Sequence, residues 1–234
     1  NQMVNSLALL AGRYALEAGE VLGLMVSTHI YALCQAVDLR CLHAEFERAV
    51  SEEVKDIARE VFGSVVGQDR EDLWQKVWEA VFEKWTNLAH LDLKDRGNTA
   101  AIESAGPLVQ IFLPLGPGPD LAALHQFQTK VAALLITGYD AVRARFFKSP
   151  TTGGYISDAS KVLYDFVRTE LGIPMHRGLV DHPALKRDGE GKKRIIGSYV
   201  SEIYMAVRDG RLHDRVVEVW KQHACVTQSN GERC

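Results

Sequence analysis

An all-α fold is the expectation for this sequence, and three observations carry it. The first 106 residues contain no proline. Apolar residues recur at helical spacing through long windows. No segment shows the strict alternation, or the turn-bounded run of β-branched residues, that marks a strand. The chain has 234 residues, 47% hydrophobic and 24% charged, so it has globular composition and can bury a real core. Its net charge is −3 and its pI is near 6.3. That balance offers no basic surface for nucleic acid, and no nucleic-acid-binding motif is present.

The first element is predicted from near Asn1 to about Val50. Apolar side chains surround most of its circumference between Leu7 and Leu39. Ala8, Ala11, Gly12, Ala15, Ala18, Gly19 and Gly23 leave room for close helix packing. A helix that is apolar all round must be wrapped by partners, so an oligomer core is expected. Ser51-Glu52-Glu53 reads as a cap with an acidic first turn, starting a helix through Phe62 that Gly63 and Gly67 break. Asp69 is the expected cap of a helix to about Asn87. That helix carries Trp74, Trp78 and Trp85 on one face, a core stripe.

Leu113 to Pro119 is turn-rich. Asp120 caps a helix to about Phe147, and Ser149 to Gly154 is a second break. Ser157 caps a helix ending at Leu171, with Gly172 as C-terminal glycine and Pro174 beyond. Asp188 to Arg194 is a charged surface loop. Gly210 splits a last pair, Ser198–Asp209 and Leu212–His223, and the tail after Cys225 is polar.

Val21 to Val37 carries no Asp, Glu, Lys or Arg, yet it contains Ser27, Thr28, His29 and Gln35 and is short for a membrane span. A buried helix in a helical assembly is the expectation. Cys34 and Cys41 share a helix face at about 10 Å, too far for a disulfide. Reduced thiols in a cytoplasmic protein are expected for the four cysteines. The chain opens on neither an initiator Met nor a charged signal region, and reads as the later part of a longer protein.

Self-contained chemistry is missing. No nucleophile elbow, phosphate loop, zinc motif or dinucleotide fingerprint occurs. His43, Glu45 and Glu47 do not converge on one helix face and are expected to be solvated. His29 is expected to be a satisfied core histidine. Tyr155, Tyr164, Tyr199 and Tyr204 have no neighbouring base in sequence. That leaves Asn1 and Gln2, two carboxamides at the start of an apolar helix.

Those two residues open the run Asn1-Gln-Met-Val-Asn-Ser-Leu-Ala-Leu9. Ala18-Gly-Glu-Val-Leu22 and Ser27-Thr-His-Ile-Tyr-Ala-Leu-Cys-Gln-Ala-Val-Asp-Leu-Arg40 follow. Together they resemble the aromatic amino-acid ammonia-lyases, the fungal phenylalanine enzymes most. Leu163-Tyr-Asp-Phe-Val-Arg-Thr-Glu-Leu-Gly172 with Arg177-Gly178 agrees in order. So does Ile196-Gly-Ser-Tyr-Val-Ser-Glu-Ile-Tyr204 with Gly210-Arg211.

The resemblance implies long antiparallel helices assembled as a homotetramer. It implies residues 1–46 as a core helix, 47–150 as an inserted helical shielding domain, and 151–234 as helices returning to the core. It also implies chemistry. A methylidene-imidazolone (MIO), cyclised from Ala-Ser-Gly, activates the amine of phenylalanine or tyrosine, a tyrosine base removes a β-proton, and a trans-cinnamate leaves. Asn1 and Gln2 match the family's carboxamide pair beside cofactor and substrate. No Ala-Ser-Gly occurs in the 234 residues. The cofactor and the base therefore belong to an N-terminal half that this chain needs as partner, and the chain alone is expected to be inactive. A non-catalytic assembly module of the same descent, and an aminomutase using the same cofactor, are the alternatives. No metal, membrane or nucleic-acid partner is implied.

Overall fold

The computed structural model describes residues 2–67, 70–116, 120–184 and 194–229, with side chains from 7 to 221 within those ranges. Eight α-helices order the described residues and no strand is present among them. They are α1 (Gln2–Val66), α2 (Glu71–Asn87), α3 (Leu93–Glu103), α4 (Ala105–Phe112), α5 (Leu121–Lys148), α6 (Asp158–Asp165), α7 (Ile196–Arg208) and α8 (Arg211–Ser229). The all-α expectation holds. The expected break at Ser51 does not exist, because α1 runs on for 65 residues. Leu42, Phe46, Val50, Val54, Ala58 and Phe62 are at most 2% exposed and step by four. This single apolar stripe crosses Ser51 without a change of phase, so burial overrides the local cap signal. Gly67, at φ +88°, ends the helix in place of Gly63. The expected cap Asp69 lies outside the described residues, as does most of the 188–194 loop.

The chain divides into two compact units, Asn1–Cys41 with Pro150–Cys234, and Leu42–Ser149. In the second unit the α1 stripe meets α2 where Phe46 faces Trp85, and Trp74, Trp78 and Trp85 are each at most 3% exposed. The Phe46 ring lies tilted at 4.9 Å from Trp85 and edge-to-face at 5.3 Å from Tyr139. Phe62 meets Phe112 and Phe127. Arg96 lies 3.9 Å over the Trp85 ring and donates from Nε to the Trp85 carbonyl. Burial pushes its pKa down. Residues 88–112, for which the sequence offers no clear pattern, form α3 and α4. Asp120 caps α5 as expected, accepting from Ala123 N at 2.6 Å.

In the first unit Ile30, Tyr31 and Cys34 of α1 pack with Phe166, Val167, Ile173, Val200, Ile203 and Ala206. Ser157 caps α6, accepting from Ser160 N. The α-helix then widens into a π turn at Phe166–Glu170, short of the expected α-helical end at Leu171. Gly172, at φ +62°, follows it.

Candidate functional site

The two carboxamides that the sequence singles out lie outside the described side chains. Asn1 lies outside the described residues, and Gln2 opens α1 with a side chain that also lies outside them. What the structure does define in the first unit is a buried polar node on the same helix. Tyr31, Gln35 and Asp38 step by four and three along α1 and face the chain that returns after Pro150.

Asp38 is fully buried. Its Oδ1 accepts from Thr152 Oγ1 at 2.6 Å and from the Tyr164 hydroxyl at 2.5 Å. Its Oδ2 accepts from Arg168 Nε at 3.0 Å and Nη2 at 2.6 Å. The third arm of that guanidinium, Nη1, donates to the carbonyls of Ile173 and Pro174. Arg168 lies in the π turn at Phe166–Glu170. Next along the chain, Gln35 pairs twice with the His176 backbone, donating to its carbonyl and accepting from its N–H, both at 2.9 Å. Asp38 and Gln35 of one helix face thus pin residues 152 to 176 at four positions, Thr152, Tyr164, Arg168 and His176.

Chemically the node holds and does not react. The carboxylate already accepts four hydrogen bonds, so it has no site left to act as base or ligand. Burial, then the bond to Asp38, pushes the Tyr164 phenol up to about 12, away from the range of a useful base. Burial also pushes the Cys34 thiol up, against thiolate chemistry. Cys34 and Cys41 are buried and form no disulfide; Cys225 and Cys234 lie outside the described side chains. Among the described residues no group of His, Cys, Asp and Glu could hold a metal ion.

Other expectations need correction. His29 is exposed in the chain and is not a core histidine, because α1 turns the opposite face, carrying Ile30, Tyr31 and Cys34, to the core. His43 is not solvated; it stacks on Phe82 at 4.9 Å. Glu45 is half-buried beside Arg145 Nη2 at 3.4 Å, and Glu47 alone of the three is exposed. Tyr199 stacks on Tyr31, with Arg194 over its outer face. Tyr204 packs against Gly23. Sequence reasoning missed the Asp38 node. Its only signal was a lone acid at the end of an apolar stretch, in phase with Tyr31 and Gln35.

Helix α1 is long and apolar enough to cross a membrane by length and composition, although most of its apolar window is exposed. The same property fits a helix wrapped by protein, and comparison with known proteins bears on the choice. No family model matches the chain. The phenylalanine ammonia-lyase lenB of Aspergillus lentulus is 40% identical over 99% of this chain. The phenylalanine ammonia-lyase of Cochliobolus lunatus is 37% identical over 95%. The crystal structure of phenylalanine ammonia-lyase from the yeast Rhodosporidium toruloides superposes with a TM-score of 0.79 over 90% of this chain, at 29% identity.

Over nearly its whole length the chain is similar to fungal phenylalanine ammonia-lyases.

It spans about a third of their length: 34% of the Aspergillus protein and 32% of the Rhodosporidium chain. The helical fold of this chain is similar to that of the Rhodosporidium structure.

Proposed function

We propose that this chain is the C-terminal portion of a phenylalanine/tyrosine ammonia-lyase, which eliminates ammonia from an aromatic L-amino acid and releases a trans-cinnamate. The observation that carries the reading is the 40% identity to a phenylalanine ammonia-lyase across 99% of the chain. The relative from Rhodotorula toruloides, 32% identical, is a phenylalanine/tyrosine ammonia-lyase, which supports the breadth of substrate class.

The β-proton lost in this elimination is weakly acidic, so the step requires an electrophile and a positioned base. Methylidene-imidazolone supplies the electrophile when present, and it derives from an Ala-Ser-Gly that this chain does not contain. The chain's own contribution is the Asn1–Gln2 pair at the start of α1. A carboxamide is neutral and offers both donors and an acceptor. That chemistry suits orienting a carbonyl-bearing heterocycle and an amino acid without adding charge to a dry pocket. Residues 47–150 shield the site, and the apolar first half of α1 joins a homotetramer in the cytoplasm.

Grafting supplies the test. The chain replaces the matching third of the Rhodosporidium enzyme, and phenylalanine turnover is followed by cinnamate absorbance. Cinnamate formation is the expected result. A folded, assembled chimera that forms none would overturn the proposal, and release of a β-amino acid would replace it with an aminomutase.

A further inference from the structure

Two histidines flank one turn of the chain that returns after Pro150. The 3₁₀ turn Gly178–Asp181 has His176 before it and His182 after it. His176 Nδ1 accepts from the Gly178 N–H at 3.1 Å, and His182 Nδ1 accepts from the Ala184 N–H at 3.3 Å. Each ring caps the amide two residues on, so the same bond is made at both ends of the turn. His176 is half-buried, and its backbone is fixed because Gln35 of α1 bonds both its carbonyl and its N–H. His182 is exposed.

Other contacts hold the turn without either ring. The Asp181 carboxylate accepts from the Arg177 N–H at 2.7 Å and from Arg177 Nη2 at 2.6 Å. The His182 N–H donates to the Leu179 carbonyl at 3.1 Å. The bond from the Arg177 side chain, first, holds the Asp181 carboxyl below its ordinary value, so this pair stays charged in mild acid.

We propose that His176 and His182 make this turn a pH-sensitive clasp, closed while both imidazoles are neutral and opened at Gly178 and Ala184 as they take up protons. An imidazole accepts a hydrogen bond only through its unprotonated nitrogen. Protonation puts an N–H where the backbone N–H already points, so two donors face each other. A bond made only by the neutral form favours that form. The closed turn therefore binds protons less tightly than the open one. Its stabilisation is present above the range in which histidine titrates, about pH 5–8, and is lost as pH falls through that range. The charged and titratable groups around His176 are Arg177 and Asp181 of its own segment, Arg168 of the π turn, Tyr31 and Asp38 of α1, and Tyr199 of α7. Asp181 is also the chain neighbour of His182. The two carboxylates favour an imidazolium, but Asp38 is paired with Arg168 and Asp181 with Arg177, so each already has its counter-charge. Closed, the clasp holds Leu179 and Val180 outward, 74% and 63% exposed, on a fixed backbone.

The test is amide exchange by NMR on the chain from about pH 8 to about pH 5, each rate divided by that of the unfolded sequence at the same pH. Protection of the Gly178 and Ala184 amides is expected to fall roughly five- to tenfold, the worth of one hydrogen bond, in step with proton uptake by the two imidazoles. The Arg177 and His182 amides are expected to keep theirs. His176→Asn separates accepting from titrating, because asparagine offers its side-chain oxygen to the amide two residues on and takes no proton. In that variant Gly178 should stay protected across the range while Ala184 still loses protection. Equal protection of Gly178 in the parent at both ends of the range, or protection gained as His176 is protonated, would overturn the proposal. So would a His176→Asn chain whose Gly178 still loses protection in acid. If that variant fails to fold, or leaves Gly178 unprotected at high pH, the parent titration decides alone.

Discussion

Asp38 shows how one buried charge is made tolerable and what it does in return. Taking a carboxylate out of water costs several kcal/mol unless partners replace the hydration. Here an arginine fork, a phenol and a hydroxyl do so. Removing one partner strands the rest. Asp38→Ala leaves Arg168, 9% exposed at its side chain, without its counter-charge, and should destabilise the fold by about 3–5 kcal/mol in urea unfolding. Tyr164→Phe removes one donor and should cost about 1–3 kcal/mol. The second change carries a pH signature. A phenol held at about 12 in the fold stabilises it at every pH below the unfolded value near 10, and that stabilisation is lost as pH rises through about 12. Stability of the parent should therefore fall more steeply than that of Tyr164→Phe between those limits. Gln2 is predicted to behave in the opposite way. In the assembled enzyme Gln2→Ala should lower turnover by about 10²–10³ with little change in thermal stability. Near-normal turnover would make it a helix-start residue only.

At the scale of elements, helix identity was legible where a pattern was long and boundaries where a cap stood alone. The Asp120 and Ser157 caps were read correctly because each follows a break, with no competing stripe. Ser51 was misread because the same cap chemistry sits inside a stripe running from Leu42 to Phe62, and the burial of six side chains outweighs one local hydrogen bond. Helices α3 and α4 went unread for another reason. They are short, and α3 carries Gly97 in its middle, a residue that weakens a helix by about 1 kcal/mol. The structure explains its presence. A Cβ at Gly97 would stand 2.5 Å from Ile136 Cγ1 and 3.3 Å from the Ala132 carbonyl of α5. Gly97→Ala should therefore destabilise, its propensity gain outweighed by overpacking of about 1–3 kcal/mol. A melting temperature equal to or above that of the parent would show that α3 and α5 can part at no cost. The polar node was illegible for want of any local signal, since Asp38 and its three partners lie 114 to 130 residues apart.

At the scale of the whole molecule, one chemical and one physical feature each give a prediction. Chemically, no Ala-Ser-Gly is present, so the purified chain given phenylalanine should form no cinnamate; absorbance growth from this chain alone would place the electrophile within it. Physically, Leu7 to Met25 exposes apolar side chains around the helix, more than a lone protomer keeps in water. The small residues Ala8, Gly12, Ala15 and Gly19 recur at helical spacing within that segment, and Gly12 and Gly19 meet nothing of their own chain. They suit close approach by helices from other protomers. Ala15→Trp adds a large ring where a methyl group stands. Within one chain the ring has open space and should leave the fold intact. Between chains it overpacks, at about 1–3 kcal/mol for each site, repeated by symmetry. The expected outcome is a protomer with unchanged helix content by circular dichroism and a smaller assembly, or an aggregate, by light scattering. In the grafted enzyme, loss of cinnamate formation should track loss of assembly. An Ala15→Trp chain that keeps the parent's mass in solution would move the contact to another face of α1.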